Sequence, residues 1–147
     1  MKIKKKMMTE NFKILGTYIK DMSSETKDTQ TYLYVKDYIS KYQLDININS
    51  KAIKNKMVEV NTILKFEDKD NTKLKSFFEM TYATVVQVND DVKDKKELQK
   101  IILCDVQIKI YPKLEKAFLD MLHNSGYEGV KFEKKIDFED LYKKKFN

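Results

Sequence analysis

A chain of 147 residues, 41% hydrophobic and 35% charged, has room for one domain with a sizeable core; three glycines and one proline exclude a flexible linker or a second domain. The net charge of +6 comes from 29 basic residues, all lysine, interleaved with 23 acids. Without arginine, whose planar fork reads bases and phosphates, and with the charge dispersed, the composition argues against a dedicated nucleic-acid partner. The lone cysteine, Cys104, cannot form an internal disulfide and favours a reducing compartment. Met1–Met8 is basic but leads into no apolar run, and no stretch has the length to cross a bilayer, so the expected location is cytoplasmic with no membrane insertion.

In chain order, residues 1–10 read as a basic N-terminal extension, expected to be disordered, ahead of a single domain over 11–147. A first strand is expected from Phe12 to Met22, with Phe12, Ile14, Gly16, Tyr18 and Met22 on one side. Strict alternation of Tyr42, Leu44, Ile46 and Ile48 against Gln43, Asp45 and Asn47 marks a half-buried strand. Val58, Val60, Thr62, Leu64 and Phe66 mark another, closed by a polar turn over Glu67–Thr72. Ser76–Val88 is a fourth strand, apolar on both sides, since Phe77, Ala83 and Val85 lie opposite Phe78, Met80, Tyr82, Val86 and Val88. Such a strand needs cover on both faces. Lys95–Cys104 reads as a short helix, although Ile101–Leu103 also suits an extended run. Pro112 fits a helix start, and Leu114, Ala117, Phe118, Met121 and Leu122 then fall at helical spacing up to Asn124-Ser125-Gly126. A last helix begins at Asp137 as N-cap, with Phe138, Leu141 and Tyr142 on its apolar side. The order predicts an α+β fold: a four-stranded antiparallel sheet followed by a long helix and a short C-terminal helix. The doubly apolar fourth strand implies either self-association or a surface for a partner.

Catalytic machinery is not legible. His123 stands alone beside a helix end, Cys104 has neither a Cys-x-x-Cys context nor a second histidine, and three isolated glycines build no phosphate loop. Two Cys and His residues in all cannot form a metal cluster of those ligands. Asp90-Asp91 and Asp68-x-Asp70 read as turn residues, and Asp137 with Asp140 as capping. Neither an enzyme nor a cofactor is expected.

Four ordered stretches resemble the SecB protein-export chaperones. These are Thr17-Tyr18-Ile19-Lys20-Asp21-Met22-Ser23-Ser24-Glu25; Lys36-Asp37-Tyr38 followed by Leu44-Asp45-Ile46-Asn47; Val58-Glu59-Val60 leading to Phe77-Phe78-Glu79-Met80 and Val85-Val86; and Ile110-Tyr111-Pro112 with a helix, Val130 and Ile136-Asp137-Phe138-Glu139-Asp140-Leu141-Tyr142. No single motif is specific, but the ordered set spans nearly the whole chain.

The resemblance implies a homotetramer, a dimer of dimers, that binds unfolded preproteins without ATP and delivers them to the SecA motor. It implies a client groove for which Tyr38, Tyr42, Leu44, Ile46 and Tyr142 are the candidate lining, and a SecA-docking face at Asp21, Glu25, Phe77 and Glu79. The chain departs from the family pattern in its basic charge, in lacking an acidic tail after Lys143-Lys144-Lys145, in Ala83-Thr84 where a glycine pair is usual, and in Glu115 where an arginine is usual. The charge and the tail bear on SecA coupling. Two alternatives stand beside the export holdase: a SecB-like chaperone for a non-export client such as an antitoxin, and a lysine-rich nucleic-acid-binding module.

Overall fold

The computed structural model of the protein describes residues 11–70 and 73–146. The expected disordered extension over 1–10 lies outside them, as does part of the turn expected over Glu67–Thr72. Four strands, β1 (Phe12–Glu25), β2 (Gln43–Ala52), β3 (Met57–Glu67) and β4 (Phe77–Val88), form one antiparallel sheet in the order β1-β4-β3-β2. β1 and β2 are therefore its two edges. One face carries Val60, Leu64, Met80 and Val86, all fully buried. Covering them are the fully buried Leu114, Phe118 and Leu122 of the long helix. The four strands and two C-terminal helices match the expected class.

Local chemistry accounts for the connections. Asn55 and Lys56 hold φ of 56° and 62°, and the Met57 amide donates to the Lys54 carbonyl at 3.0 Å, closing a tight turn between β2 and β3. Consecutive positive φ values match the right-handed twist of the flanking strands.

Three expectations change and one alternative is resolved. β1 does not alternate evenly, because irregularities between Ile14 and Gly16 and between Ile19 and Asp21 each insert a residue. Each insertion exchanges the two faces. Gly16 and Tyr18 consequently face away from Phe12 and Ile14, and Met22 returns to their side opposite Met80. Between β1 and β2 the chain forms a helix, α1 (Thr29–Tyr38), capped where the Asp28 carboxylate accepts from the Thr31 amide at 2.8 Å, and then a 3-10 turn over Ile39–Lys41. Its buried residues, Thr31 and Val35, are four apart, too short a stripe to stand out in the sequence. Of the two readings of Ile101–Leu103 the helical one holds, and the helix does not stop there: α2 (Lys95–Lys100) runs through a π turn (Ile101–Asp105) into α3 (Val106–Asn124). Lastly, Pro112 does not start a helix but lies inside α3. Its missing N–H leaves the Ile108 carbonyl without its usual helical donor. The helix tolerates this because Leu114, Phe118 and Leu122 bury a full stripe beyond it.

α3 ends at Asn124, with Gly126 at φ 104°. A Cβ there would lie 2.8 Å from the Tyr32 ring, so both conformation and space require glycine. The final helix, α4 (Phe138–Phe146), starts as expected, with the Asp140 amide donating to the Asp137 carboxylate at 3.0 Å. Among the described residues no helix is long and apolar enough to cross a membrane.

Candidate functional site

On β2 the residues Ile46 and Ile48 sit across the ladder from Leu64 and Thr62, so they continue the core-facing row out to an open sheet edge. They remain half-buried because no further strand lies beyond them. α4 closes the other side. Phe138 is buried, edge-on to Tyr111 at 5.3 Å, and anchors the helix. Leu141, one turn along, is left 47% exposed. Leu103 arrives from the π turn. Between β2 and α4 lies a cleft of about 300 Å³ lined by Ile46, Ile48, Leu103, Phe138, Leu141, Tyr142 and Lys144. The lining is mostly aliphatic and aromatic, and one wall is the edge strand β2 (Gln43–Ala52), with backbone donors and acceptors unpaired on its free side. Such a cleft removes water from apolar side chains of another polypeptide without demanding one sequence.

The five candidate lining residues separate. Ile46 and Tyr142 meet in this cleft. Leu44 shares the row of Ile46 but is not among the lining residues, and it packs half-buried against the core. Tyr38 is exposed at the end of α1, its ring 4.5 Å from that of Tyr34 and 5.0 Å from the Lys41 ammonium, and it does not line the cleft. Tyr42 is a core residue. It is buried among Phe66 and Phe78, and its hydroxyl accepts from the Ser76 amide at 2.9 Å. Burial pushes its phenol pKa up, which keeps the hydroxyl protonated.

The four candidate docking residues come together on the opposite, outer face of the sheet. Glu25 pairs with Phe77, Ser23 with Glu79 and Asp21 with Thr81, and paired residues share a face. The second irregularity of β1 is what turns Asp21 to this side. Phe77 is half exposed, with the Lys75 ammonium 5.3 Å from its ring. Glu79 forms an ion pair with Lys65, its cross-strand partner, at 3.4 Å. Further along this face Glu59 accepts from Tyr18 at 3.2 Å, Lys20 at 2.9 Å and Asn61 at 3.2 Å. Lys20 and then Asn61 hold its carboxyl below the usual range.

The remaining candidates for chemistry face inward. The His123 ring is 2.9 Å from the Val130 carbonyl, where it ties the chain after α3 back to the helix end. Cys104 is fully buried, and burial pushes its thiol pKa up.

Apolar surface is concentrated elsewhere too. Leu15, Ile19 and Met22 of the edge strand β1 are 49%, 45% and 56% exposed, and Ile108 of α3 is 51% exposed. A 14-residue edge strand bearing three exposed apolar side chains is poorly protected against pairing with another strand.

A family model described as "Preprotein translocase subunit SecB" matches residues 5–147. The chain belongs to the SecB family. A curated relative from Pelagibacter ubique (strain HTCC1062), named "Putative protein-export protein SecB", is 61% identical over 140 residues, which is 95% of this chain and 100% of the relative. Among solved structures, the Mycobacterium tuberculosis SecB-like chaperone Rv1957, in complex with a ChAD peptide from the HigA1 antitoxin, superposes with a TM-score of 0.61. The identity is 11%, and the match covers 88% of this chain and 95% of that one; it shows a shared fold. The family role is that of a chaperone in protein export.

Ile48, Phe138 and Leu141 join the lining beyond the five candidates, and each stands on an apolar row legible in the sequence. Leu103 carried no such signal, because its place depends on the π turn.

Proposed function

We propose that this chain is a cytoplasmic, ATP-independent holdase that keeps preproteins unfolded in the cleft between β2 and α4 and passes them to SecA through Asp21, Glu25, Phe77 and Glu79. The observation that carries the reading is the cleft itself: an apolar lining beside an unpaired strand edge, on a chain of the SecB family. A client segment offers the two things such a site accepts, apolar side chains and unsatisfied backbone groups. Burial stabilises the contact by about 25 cal/mol per Å², so a single shallow cleft holds a client weakly. Several clefts on one assembly raise the avidity through effective concentration.

Self-association follows from the same economy of surface. A second copy pairing along β1 would cover Leu15, Ile19 and Met22, and helix contacts through Ile108 would join two such dimers into a homotetramer. The basic charge and the Lys65 partner of Glu79 reduce the acidity of the docking face, so SecA coupling rests on the geometry of the four residues more than on their net charge.

The test is suppression of aggregation of an unfolded precursor without nucleotide, at low and high salt. Suppression that survives salt is expected. Binding that collapses with salt would instead indicate phosphate-like contacts to the lysines and revive the nucleic-acid reading. Suppression without any affinity for SecA would favour a chaperone of non-export clients.

A further inference from the structure

The helical segment from Lys95 to Asn124 contains a step that an unbroken α-helix does not make. Its buried residues run Ile101–Ile102, Cys104, Val106–Gln107, Ile110–Tyr111, Leu114, Phe118 and Met121–Leu122, with half-buried Leu98 before them. From Gln107 onward the spacing is three or four; the pair Val106–Gln107 follows the pair Ile101–Ile102 at five, with Cys104 buried between them. The extra residue is taken up in the π turn, where the Val106 amide donates to the Ile101 carbonyl, five residues back. One inserted residue rotates everything before it by about 100° relative to α3. In an unbroken α-helix Lys100, seven residues before Gln107, would fall on the core face. With the π turn, Lys100 is exposed, Ile101 and Ile102 are buried, and Leu103 lines the cleft.

π turns are rare and concentrate at functional sites, so something must hold this one open. The brace is Gln107. Its side chain is fully buried, an unusual place for an amide. Its Nε2 donates to the Ile102 carbonyl inside the turn at 3.2 Å, and its Oε1 accepts from the Thr62 hydroxyl on β3 at 2.9 Å. Thr62 in turn is the cross-strand partner of Ile48, a cleft residue. One side chain therefore ties the π turn to the strand beside the cleft.

We propose that Gln107 is a positioning residue for client binding: by bracing the π turn against Thr62 it sets Leu103 into the cleft, although it touches no client itself. The proposal rests on the reading of the cleft as the client site. Removing the brace lets the turn relax toward α-helical bonding, which moves Leu103 out of line with Ile46 and Leu141 while most of the core stays in place.

The test is a double-mutant cycle on the full chain, with reduced, carboxymethylated α-lactalbumin as a permanently unfolded probe and affinity measured by titration calorimetry. Gln107→Leu, of similar volume, and Leu103→Ala are each expected to weaken binding about tenfold, the loss of most of one leucine contact. The double variant is expected to bind no more weakly than either single one, because both remove the same contact. Tyr127→Phe, which removes hydroxyl contacts to Thr26 and Ser76 and touches neither Gln107 nor Thr62, controls for stability and should leave the affinity of the folded protein unchanged. Gln107→Met, which fills similar space but neither donates to Ile102 nor accepts from Thr62, should behave as Gln107→Leu does. Unchanged affinity in Gln107→Leu, or losses that add fully in the double variant, overturns the proposal. If Leu103→Ala is silent while Leu141→Ala weakens binding, the proposal falls and the cleft stands; if the wild type does not bind the probe, both fall.

Discussion

Replacing Tyr42 by phenylalanine removes one oxygen from the buried end of the sheet and separates a core role from a client role. Three hydroxyls form a closed triangle there: Thr26 to Ser76 at 2.7 Å, Thr26 to Tyr127 at 2.9 Å and Ser76 to Tyr127 at 2.9 Å. The Tyr42 hydroxyl lies outside that triangle and accepts from the backbone amide of the buried Ser76 at 2.9 Å. In Tyr42→Phe that amide is left buried without its acceptor, which costs the desolvation of a backbone donor, about 2 kcal/mol. Tyr127→Phe breaks two hydrogen bonds but leaves Thr26 and Ser76 bonded to each other, so the cost is smaller, about 1 kcal/mol. Urea unfolding followed by far-UV circular dichroism should therefore rank the wild type above Tyr127→Phe and Tyr127→Phe above Tyr42→Phe, with equal slopes. Client affinity of the folded Tyr42→Phe protein should equal that of the wild type. A Tyr42→Phe protein of undiminished stability that binds clients more weakly would refute the reasoning, because its hydroxyl would then face the client and not Ser76.

Three further outcomes are expected. Reversing the charge of Asp21 and Glu79 should abolish SecA binding in a pull-down and leave suppression of aggregation intact; unchanged SecA affinity would reject the docking face. Lys56→Gly should raise the free energy of unfolding measured in urea, since glycine relieves a φ of +62°, by about 0.5–1 kcal/mol after the loss of an exposed contact to Asp90. Glu59, whose folded pKa lies below its ordinary 4.5, contributes stability that is present above that value and is lost as pH falls through the depressed one. Glu59→Gln should flatten that part of the acid limb of stability against pH, and an unchanged acid limb would mean that the contacts to Lys20 and Asn61 do not persist in solution.

Much of this architecture is written in short-range pattern. The strands β2, β3 and β4 follow from period-two alternation, α3 beyond Pro112 from its apolar stripe, and α4 from Asp137 and the residues it caps. The ordered motifs, spread from Thr17 to Tyr142, were sufficient to point to the SecB family. What alternation cannot register is a change of phase. The first irregularity of β1 turns Tyr18 outward, the second restores the phase for Asp21 and Met22, and the π turn sets Leu103 into the cleft; each is one inserted residue, and nothing in the local composition marks it. α1 escaped for a related reason, since its buried stripe is only Thr31 and Val35.

The sequence by itself therefore determined the four strands, the C-terminal helices, their order and the family, because these depend on which side chains recur at the period of a strand or a helix. The tertiary structure decided which of the apolar residues are free to meet a partner. Tyr42, just before β2, and Ile46 within it stand on the same alternating row of the sequence, yet one is sealed against Ser76 and the other opens into the cleft. The difference lies in what packs over each from distant parts of the chain, and burial is a property of that packing and not of the strand.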